Sequence, residues 1–169
     1  ESVALACESD KRFVALSSPT GSGKSLSAIA TAMLLGKRAV ILTSTKALQK
    51  QYLEDGFSGM AEIKGRVNFP CTKGNFTCSE GRIMGCRDTG CPYQCDRGKA
   101  LESSLVITNY AYYLSCVMHG EGLGDIGLLV LDEAHNALTE LSSALQIKLD
   151  HEKNEHLYRT VGCLAPPTG

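Results

Sequence analysis

Ser18-Pro19-Thr20-Gly21-Ser22-Gly23-Lys24-Ser25 stands between a short apolar run, Phe13-Val14-Ala15-Leu16-Ser17, and a stretch where Leu26, Ile29, Ala30, Met33 and Leu34 recur at helical spacing. The run predicts a buried parallel strand over 13–17 and the recurrence a helix over Lys24–Leu35, with Gly36 where a helix end tolerates positive φ. A glycine-rich turn from strand to helix N-terminus lets successive backbone N–H groups face an anion, and the helix adds partial positive charge there. The octapeptide reads as a phosphate-binding loop. Thr20, Gly21, Ser22, Gly23, Lys24 and Ser25 are then the nucleotide contacts, with Lys24 reaching the β- and γ-phosphates and the Ser25 hydroxyl in the Mg²⁺ shell. Ser18 departs from the general pattern, which has glycine, but serine is small enough for the loop to close. Taken alone, the stretch reads equally as a plain Gly/Ser turn.

Further along, Ala39-Val40-Ile41-Leu42-Thr43 predicts a second buried strand, Thr45 a cap for a helix from residue 46 to about 55 closed by Gly56, and Ala61-Glu62-Ile63-Lys64 a third strand. The alternation resumes with strand Leu105-Val106-Ile107-Thr108, an Asn109-capped helix through Tyr110, Tyr113, Leu114 and Val117, strand Leu128-Leu129-Val130-Leu131, and a helix after Asn136 to Ser143. Continuous apolar strands alternating with helices imply an α/β fold with a parallel sheet covered on both faces. Asp132-Glu133-Ala134-His135 follows the last strand, placing two carboxylates where open α/β sheets bind ligands. Asp132 is suited to hold Mg²⁺ through water, and Glu133 to orient and deprotonate the attacking water. The competing reading is an acidic cap for the next helix. Two motifs in this order, each on the expected element, predict ATP with Mg²⁺ and catalytic roles for Lys24, Asp132, Glu133 and His135, the last relaying the nucleotide state.

The chain has 169 residues with a formal charge of -1, so total charge makes no case for nucleic acid. The distribution does. Residues 64–99 hold seven Lys/Arg against three acids, leaving the remainder acidic, and the same segment carries five of the eight cysteines, Cys71, Cys78, Cys86, Cys91 and Cys95. Cys7, Cys116 and Cys163 are scattered and read as simple thiols. No apolar run approaches the ~20 residues of a membrane-spanning helix, and the N-terminus lacks a signal-peptide pattern. A soluble intracellular protein is expected, so clustered thiols read as metal ligands rather than disulfides. The chain opens on Glu1 inside a predicted helix, Ser2 to Ser9, which is expected of a piece of a larger protein. Residues 65–98 lose all periodicity and predict a core-less insertion that needs an external staple.

The gaps between clustered cysteines, six, seven, four and three residues, lack the close pairs of structural zinc sites. Irregular spacing with a Cys-Pro step better suits an iron–sulfur cluster in a loose loop, with zinc and free thiols as the alternatives. Lys73, Arg82, Arg87 and Arg97 would face phosphates, with Phe69, Phe76 and Tyr93 available for stacking on unpaired bases, although Phe69 reads more simply as a shield for the cluster. Arg66 and Asn68 read equally as local turn residues. Thr43, Thr45, Lys46 and Gln49 are candidate contacts to a nucleic-acid backbone, against a cap role for Thr45 and a solvated charge for Lys46. His119, His151 and His156 read as surface residues, and at least two of Tyr110, Tyr112 and Tyr113 as core.

The phosphate loop Ser18 to Ser25, the segment Thr43-Ser44-Thr45-Lys46-Ala47-Leu48-Gln49-Lys50-Gln51, Asp132-Glu133-Ala134-His135 and the cysteine-rich insertion resemble the first motor domain of superfamily 2 helicases of the XPD/DinG group. Lys64-Gly65-Arg66-Val67-Asn68-Phe69-Pro70-Cys71 is similar to the segment leading into that family's first cluster cysteine, and Cys91-Pro92-Tyr93 with Thr108-Asn109-Tyr110 to the segment leaving it. The resemblance implies a RecA-like P-loop NTPase fold, ATP-driven unwinding of single-stranded or forked DNA with 5′ to 3′ polarity, and a [4Fe-4S] cluster on Cys71, Cys78, Cys86 and Cys91. Cys95 is then a spare thiol one turn into a helix. The competing set drops Cys78 for Cys95, and spacing alone leaves both open.

The expected layout is a motor domain over 1–64 and 99–150, a cluster segment over 65–98, and the start of a further insertion or a truncated end over 151–169. A second RecA-like motor domain of the same protein would supply the arginine for hydrolysis. The expected location is cytoplasmic or nucleoid-associated, with no membrane partner. The rival function is a zinc-binding nucleic-acid module with a regulatory or vestigial nucleotide pocket, and a third is an ATPase switch acting on a protein.

Overall fold

A computed structural model describes residues 2–9, 11–19, 21–44, 46–54, 59–119 and 122–145. Among them, the elements run α1 (Ser2–Glu8), α2 (Lys24–Leu35), β1 (Ala39–Thr43), α3 (Lys46–Glu54), β2 (Met60–Glu62), α4 (Cys78–Ile83), α5 (Pro92–Glu102), β3 (Leu105–Asn109), α6 (Tyr110–Met118), β4 (Leu128–Leu131) and α7 (Ala137–Leu145). Single 3₁₀ turns lie at Arg66–Asn68 and Ala134–Asn136. The four strands pair in parallel in the order β2-β3-β1-β4, the doubly covered sheet that the alternating sequence predicts.

β1 shows why the sheet is buried on both sides. Successive side chains of a strand point to opposite faces. Val40 and Leu42 enter one layer with Val106, Tyr110, Tyr112 and Ala100 of α5, while Ala39 and Ile41 enter the other with Leu105, Ile107, Tyr52 of α3, and Ile29 and Ala32 of α2. Each of Val40, Ile41 and Leu42 contributes roughly 1.5–3 kcal/mol by this burial, an upper bound given residual structure in the unfolded chain. Arg38 locks the strand starts: its guanidinium donates to the carbonyls of Ser103 (3.0 Å), Ala100 (2.8 Å) and Asp125 (3.0 Å). It thereby ties the end of α5 and the approach to β4 onto β1.

Two expectations are corrected. Residues 13–17 are not a strand: the run pairs with nothing, and Phe13 is 82% exposed beneath the Arg12 guanidinium. β1 is flanked by β3 and β4, and although the outer edge of β4 is left open, the run does not pair with it. The helix after it forms as predicted and ends at Gly36 in the left-handed region (φ 58°). It buries Ile29, Thr31 and Ala32, however, and leaves Leu26, Met33 and Leu34 exposed.

The second correction concerns residues 65–98, which are neither coil nor coreless. Thr77 caps α4 through a capping box with Glu80, and Pro92 occupies the first turn of α5, where its missing N–H costs nothing. Cys78, Cys91 and Tyr93 share the core of the sheet with Val40, Leu42 and Val106. The Thr45 cap, Gly56, His151, His156, Cys163 and the 151–169 segment lie outside the described residues. Among the described residues no helix is long and apolar enough to cross a membrane.

Candidate functional site

The phosphate-loop residues close on themselves. Gly21 and Gly23 both adopt left-handed backbone (φ 77° and 79°), which only glycine does freely. No atom lies within 4 Å of where a Cβ would stand at either, so the turn presents open backbone. Ser22 Oγ donates to Pro19 O (2.7 Å), and the Ser18 hydroxyl donates to that of Ser22. The departure from glycine at position 18 thus adds a bond across the loop. Lys24 Nζ donates to the carbonyls of Ser18 (3.0 Å) and Pro19 (3.1 Å). Ser25 is half-buried in the first turn of α2, and Thr20 lies outside the described residues.

The acidic pair is fixed more firmly. Register pairs Leu42 with Leu131, and the next amide, Asp132 N, donates to Leu42 O (2.9 Å), so Asp132 sits at the C-terminal end of the sheet beside Thr43. Its carboxylate accepts from Glu133 N at Oδ1 (3.1 Å) and from the Tyr52 hydroxyl at Oδ2 (3.1 Å), while its main-chain oxygen accepts from the Tyr110 hydroxyl (3.0 Å). Glu133 is the one non-glycine with positive φ among the described residues (φ 52°, ψ 50°). Such backbone costs roughly 1–2 kcal/mol and turns the chain sharply off the strand. His135 Nδ1 lies 3.3 Å from Glu133 Oε2. Burial, then the charges of Asp132, Glu140 and Glu133, push the Tyr110 phenol up to about 12, so it stays a donor at neutral pH. Among the described residues no hydrogen bond or ion pair joins Lys24 or Ser25 to Asp132 or Glu133.

On the opposite face of the sheet from α2 and α3, Cys71, Cys78, Cys86 and Cys91 line one cavity of about 200 Å³ together with Arg66, Arg82, Arg87 and Asp88. Cys95 is exposed and points instead at Gly90 O. Arg66 carries its guanidinium carbon over the Tyr93 ring (4.0 Å to the centroid) and directs Nη1 at Cys78 Sγ (3.9 Å), which is more than a turn residue does; Asn68 does bond locally, to Gly65 O (3.0 Å). Burial pushes the Cys78 thiol up and the Arg66 bond pulls against it. Among the described residues no three His, Cys, Asp or Glu side chains are placed to hold a single metal ion.

Several expected nucleic-acid contacts lie elsewhere. Tyr93 is 1% exposed, packed edge-on against Phe69 (5.6 Å between centroids) with its hydroxyl 2.9 Å from that of Tyr112, so it offers no stacking surface. Phe76 is half-buried over Gly81 and Gly74. Thr43 and Gln49 are fully buried, and neither amide atom of Gln49 is hydrogen-bonded. Arg97 is half-buried with Nη2 on Gly122 O (3.2 Å). Lys73, Arg82 and Arg87 are exposed, and His119 sits on the surface, bonded to its own helix. Sequence reasoning missed Tyr52, the Tyr110 hydroxyl and the Arg66–Cys78 contact, which no local spacing announces.

A parallel sheet with helices on both faces, a glycine turn opening a helix and an acidic pair beyond a strand define the RecA-like P-loop class. Within it, the chain belongs to the DEAD/DEAH box helicase family, which matches residues 1–161. It is accordingly an ATP-dependent nucleic-acid helicase domain that uses ATP and Mg²⁺. Comparison with curated proteins and with solved structures returns no significant match.

Proposed function

We propose that the chain is the ATP-binding motor domain of an iron–sulfur DNA helicase of the XPD/DinG type, coupling ATP hydrolysis to movement along single-stranded DNA. The observation that carries this reading is the cavity walled by Cys71, Cys78, Cys86 and Cys91, with Cys95 turned away. A single zinc needs its sulfurs converging on one point about 2.3 Å away. A cavity of about 200 Å³, several times the roughly 30 Å³ share of a water molecule, suits the larger core of a [4Fe-4S] cluster. The residues fit the group, which would supply folding free energy to the segment around it. Lys73, Arg82 and Arg87 then stand exposed beside it, to receive phosphates.

At the nucleotide site the open backbone of Gly21 and Gly23 fits a phosphate cradle. There the Gly21, Ser22 and Gly23 N–H groups would face phosphate oxygens, Lys24 would leave its carbonyl partners for the β- and γ-phosphates, and Ser25 and Asp132 would hold Mg²⁺. The ion would neutralise developing phosphate charge. Glu133 holds the attacking water and takes its proton, His135 steadies Glu133, and a second motor domain supplies the arginine. The chain alone is then expected to bind ATP–Mg²⁺ weakly, to hydrolyse it very slowly and to unwind nothing.

Anaerobic purification tests the cluster: a brown protein with broad visible absorbance and stoichiometric iron and sulfide is expected, and a colourless zinc protein overturns it. Salt-sensitive binding of single-stranded DNA, lost when Lys73, Arg82 and Arg87 are neutralised, tests the interface. Lys24→Ala is expected to abolish nucleotide binding.

A further inference from the structure

Tyr52 lies on α3, is 1% exposed, and carries its hydroxyl across to the carboxylate that follows β4, 80 residues further along the chain. A buried phenol needs a hydrogen-bond partner, and this one ends at Asp132 Oδ2, 3.1 Å away. The other carboxylate oxygen accepts from the neighbouring amide, Glu133 N, at 3.1 Å. The Asp132 backbone is held independently, by Leu42 O and the Tyr110 hydroxyl. Among the described residues, therefore, Tyr52 makes the one side-chain bond that fixes the plane of this carboxylate from another element. Without it, rotation about the terminal torsion is opposed by a single bond to the residue's own chain neighbour.

We propose that Tyr52 is a positioning residue for Mg²⁺: its hydroxyl holds the Asp132 carboxylate in the orientation that receives the ion's water shell, without touching nucleotide. The inference rests on the reading of Asp132 as the Mg²⁺ carboxylate. Partners of direct metal ligands are typically worth 10–100-fold in metal affinity, and a partner of a carboxylate that meets the ion through water belongs at or below the low end of that range.

The test is a titration of a fluorescent ATP analogue onto the full chain, in EDTA and across a Mg²⁺ series. The parent should bind more tightly as Mg²⁺ rises, and Asp132→Asn should erase that dependence. Tyr52→Phe should raise the Mg²⁺ concentration of half-effect up to about 10-fold, leaving affinity in EDTA unchanged and lowering the melting temperature only by the few degrees that one lost hydrogen bond brings. Tyr52→Met, which also lacks the hydroxyl but fills the space with a flexible chain, should shift it equally, so the result does not depend on one variant folding. A parental Mg²⁺ midpoint in both variants overturns the proposal while leaving the ATP site intact. Equal losses with and without Mg²⁺ also overturn it, since a merely structural tyrosine behaves that way. A parent with no Mg²⁺ dependence removes the reading of Asp132 and the proposal with it.

Discussion

The arm over residues 11–35 and the segment over residues 65–102 are opposites. The first carries the most regular motif in the chain, yet Phe13, Leu16, Leu26, Met33 and Leu34 remain exposed along it. The second has no hydrophobic period, yet Cys71, Cys78, Cys91 and Tyr93 are buried within it. A phosphate loop works through backbone amides, so residue order alone announces it, and its apolar neighbours can stand uncovered without altering the turn. A cavity works through side chains gathered from distant positions. Its residues are readable only as an inventory, and burial comes from the sheet beneath them.

The largest effect expected from this contrast is all-or-none. Cys91→Ser removes a buried thiol from the cavity wall, whereas Cys95→Ser alters an exposed one aimed at Gly90 O. With the proposed cluster in this cavity, iron content and visible absorbance should vanish in the first and stay parental in the second. Because metal binding supplies folding free energy, amide exchange across 65–102 should accelerate only in the first. Loss of iron from Cys95→Ser would reassign the ligand set.

Glycine substitutions separate the regions next. A Cβ at Gly81 would stand 2.5 Å from Cys71 Sγ and 3.1 Å from the Phe76 ring, so Gly81→Ala should destabilise by about 1–3 kcal/mol through overpacking. Gly23→Ala meets no atom within 4 Å but forces alanine to φ 79°, about 1–2 kcal/mol of local strain. Urea midpoints should fall for both, from overpacking in the first and backbone strain in the second, but nucleotide binding should fall for the second alone. Parental nucleotide binding in Gly23→Ala would remove the loop from the site.

The four strands and their helices were legible because β1, β3 and β4 are continuous apolar runs, and the Asp132-Glu133 pair because it directly follows one of them. The strand over 13–17 failed for the complementary reason: apolar composition says that a run can be buried, not that it docks, and this run stays off the sheet although β4 leaves an edge open. α4 was readable in Thr77-Cys78-Ser79-Glu80, a capping-box pattern that the cysteine spacing overshadowed. Tyr52 and Arg66 were not readable, since each acts on a residue set by tertiary packing, at Asp132 and Cys78.

A smaller effect probes how the cysteine segment grips the sheet. The Tyr93 and Tyr112 hydroxyls meet at 2.9 Å, and burial followed by that bond pushes the Tyr112 phenol up. Tyr112→Phe and Tyr93→Phe each remove this bond, while the Tyr112 side chain also meets Cys116, so each should cost about 1 kcal/mol. The double variant should lie closer to the parent than the two singles add up to, a coupling that a thermodynamic cycle from urea denaturation measures. Additive losses would place the two hydroxyls on separate partners.

The smallest effect is acid-dependent and confined to one side of the comparison. Residues 11–35 contain no Asp or Glu, whereas α4 is capped by Glu80, whose carboxylate accepts from Thr77 N and from the Thr77 hydroxyl, both at 2.7 Å. The backbone bond first, then the hydroxyl, hold this carboxyl below its ordinary value of 4.5. A group depressed in the folded state contributes stability that is complete above its unfolded value and lost as pH falls through the folded one. Asp88, held down by the Thr72 hydroxyl and Gly90 N, acts with the same sign. Below about pH 4.5, amide protection in α4, taken against the intrinsic exchange rate at each pH, should therefore fall while that in α2 is unaffected by this route. Glu80→Gln keeps a capping oxygen but cannot titrate, so it should flatten part of that acid response and already show at pH 7 some of the lost protection that the parent reaches only in acid. An identical acid profile in parent and variant would move the titration to Asp88, and an equal loss of protection in α2 would erase the distinction between the two regions.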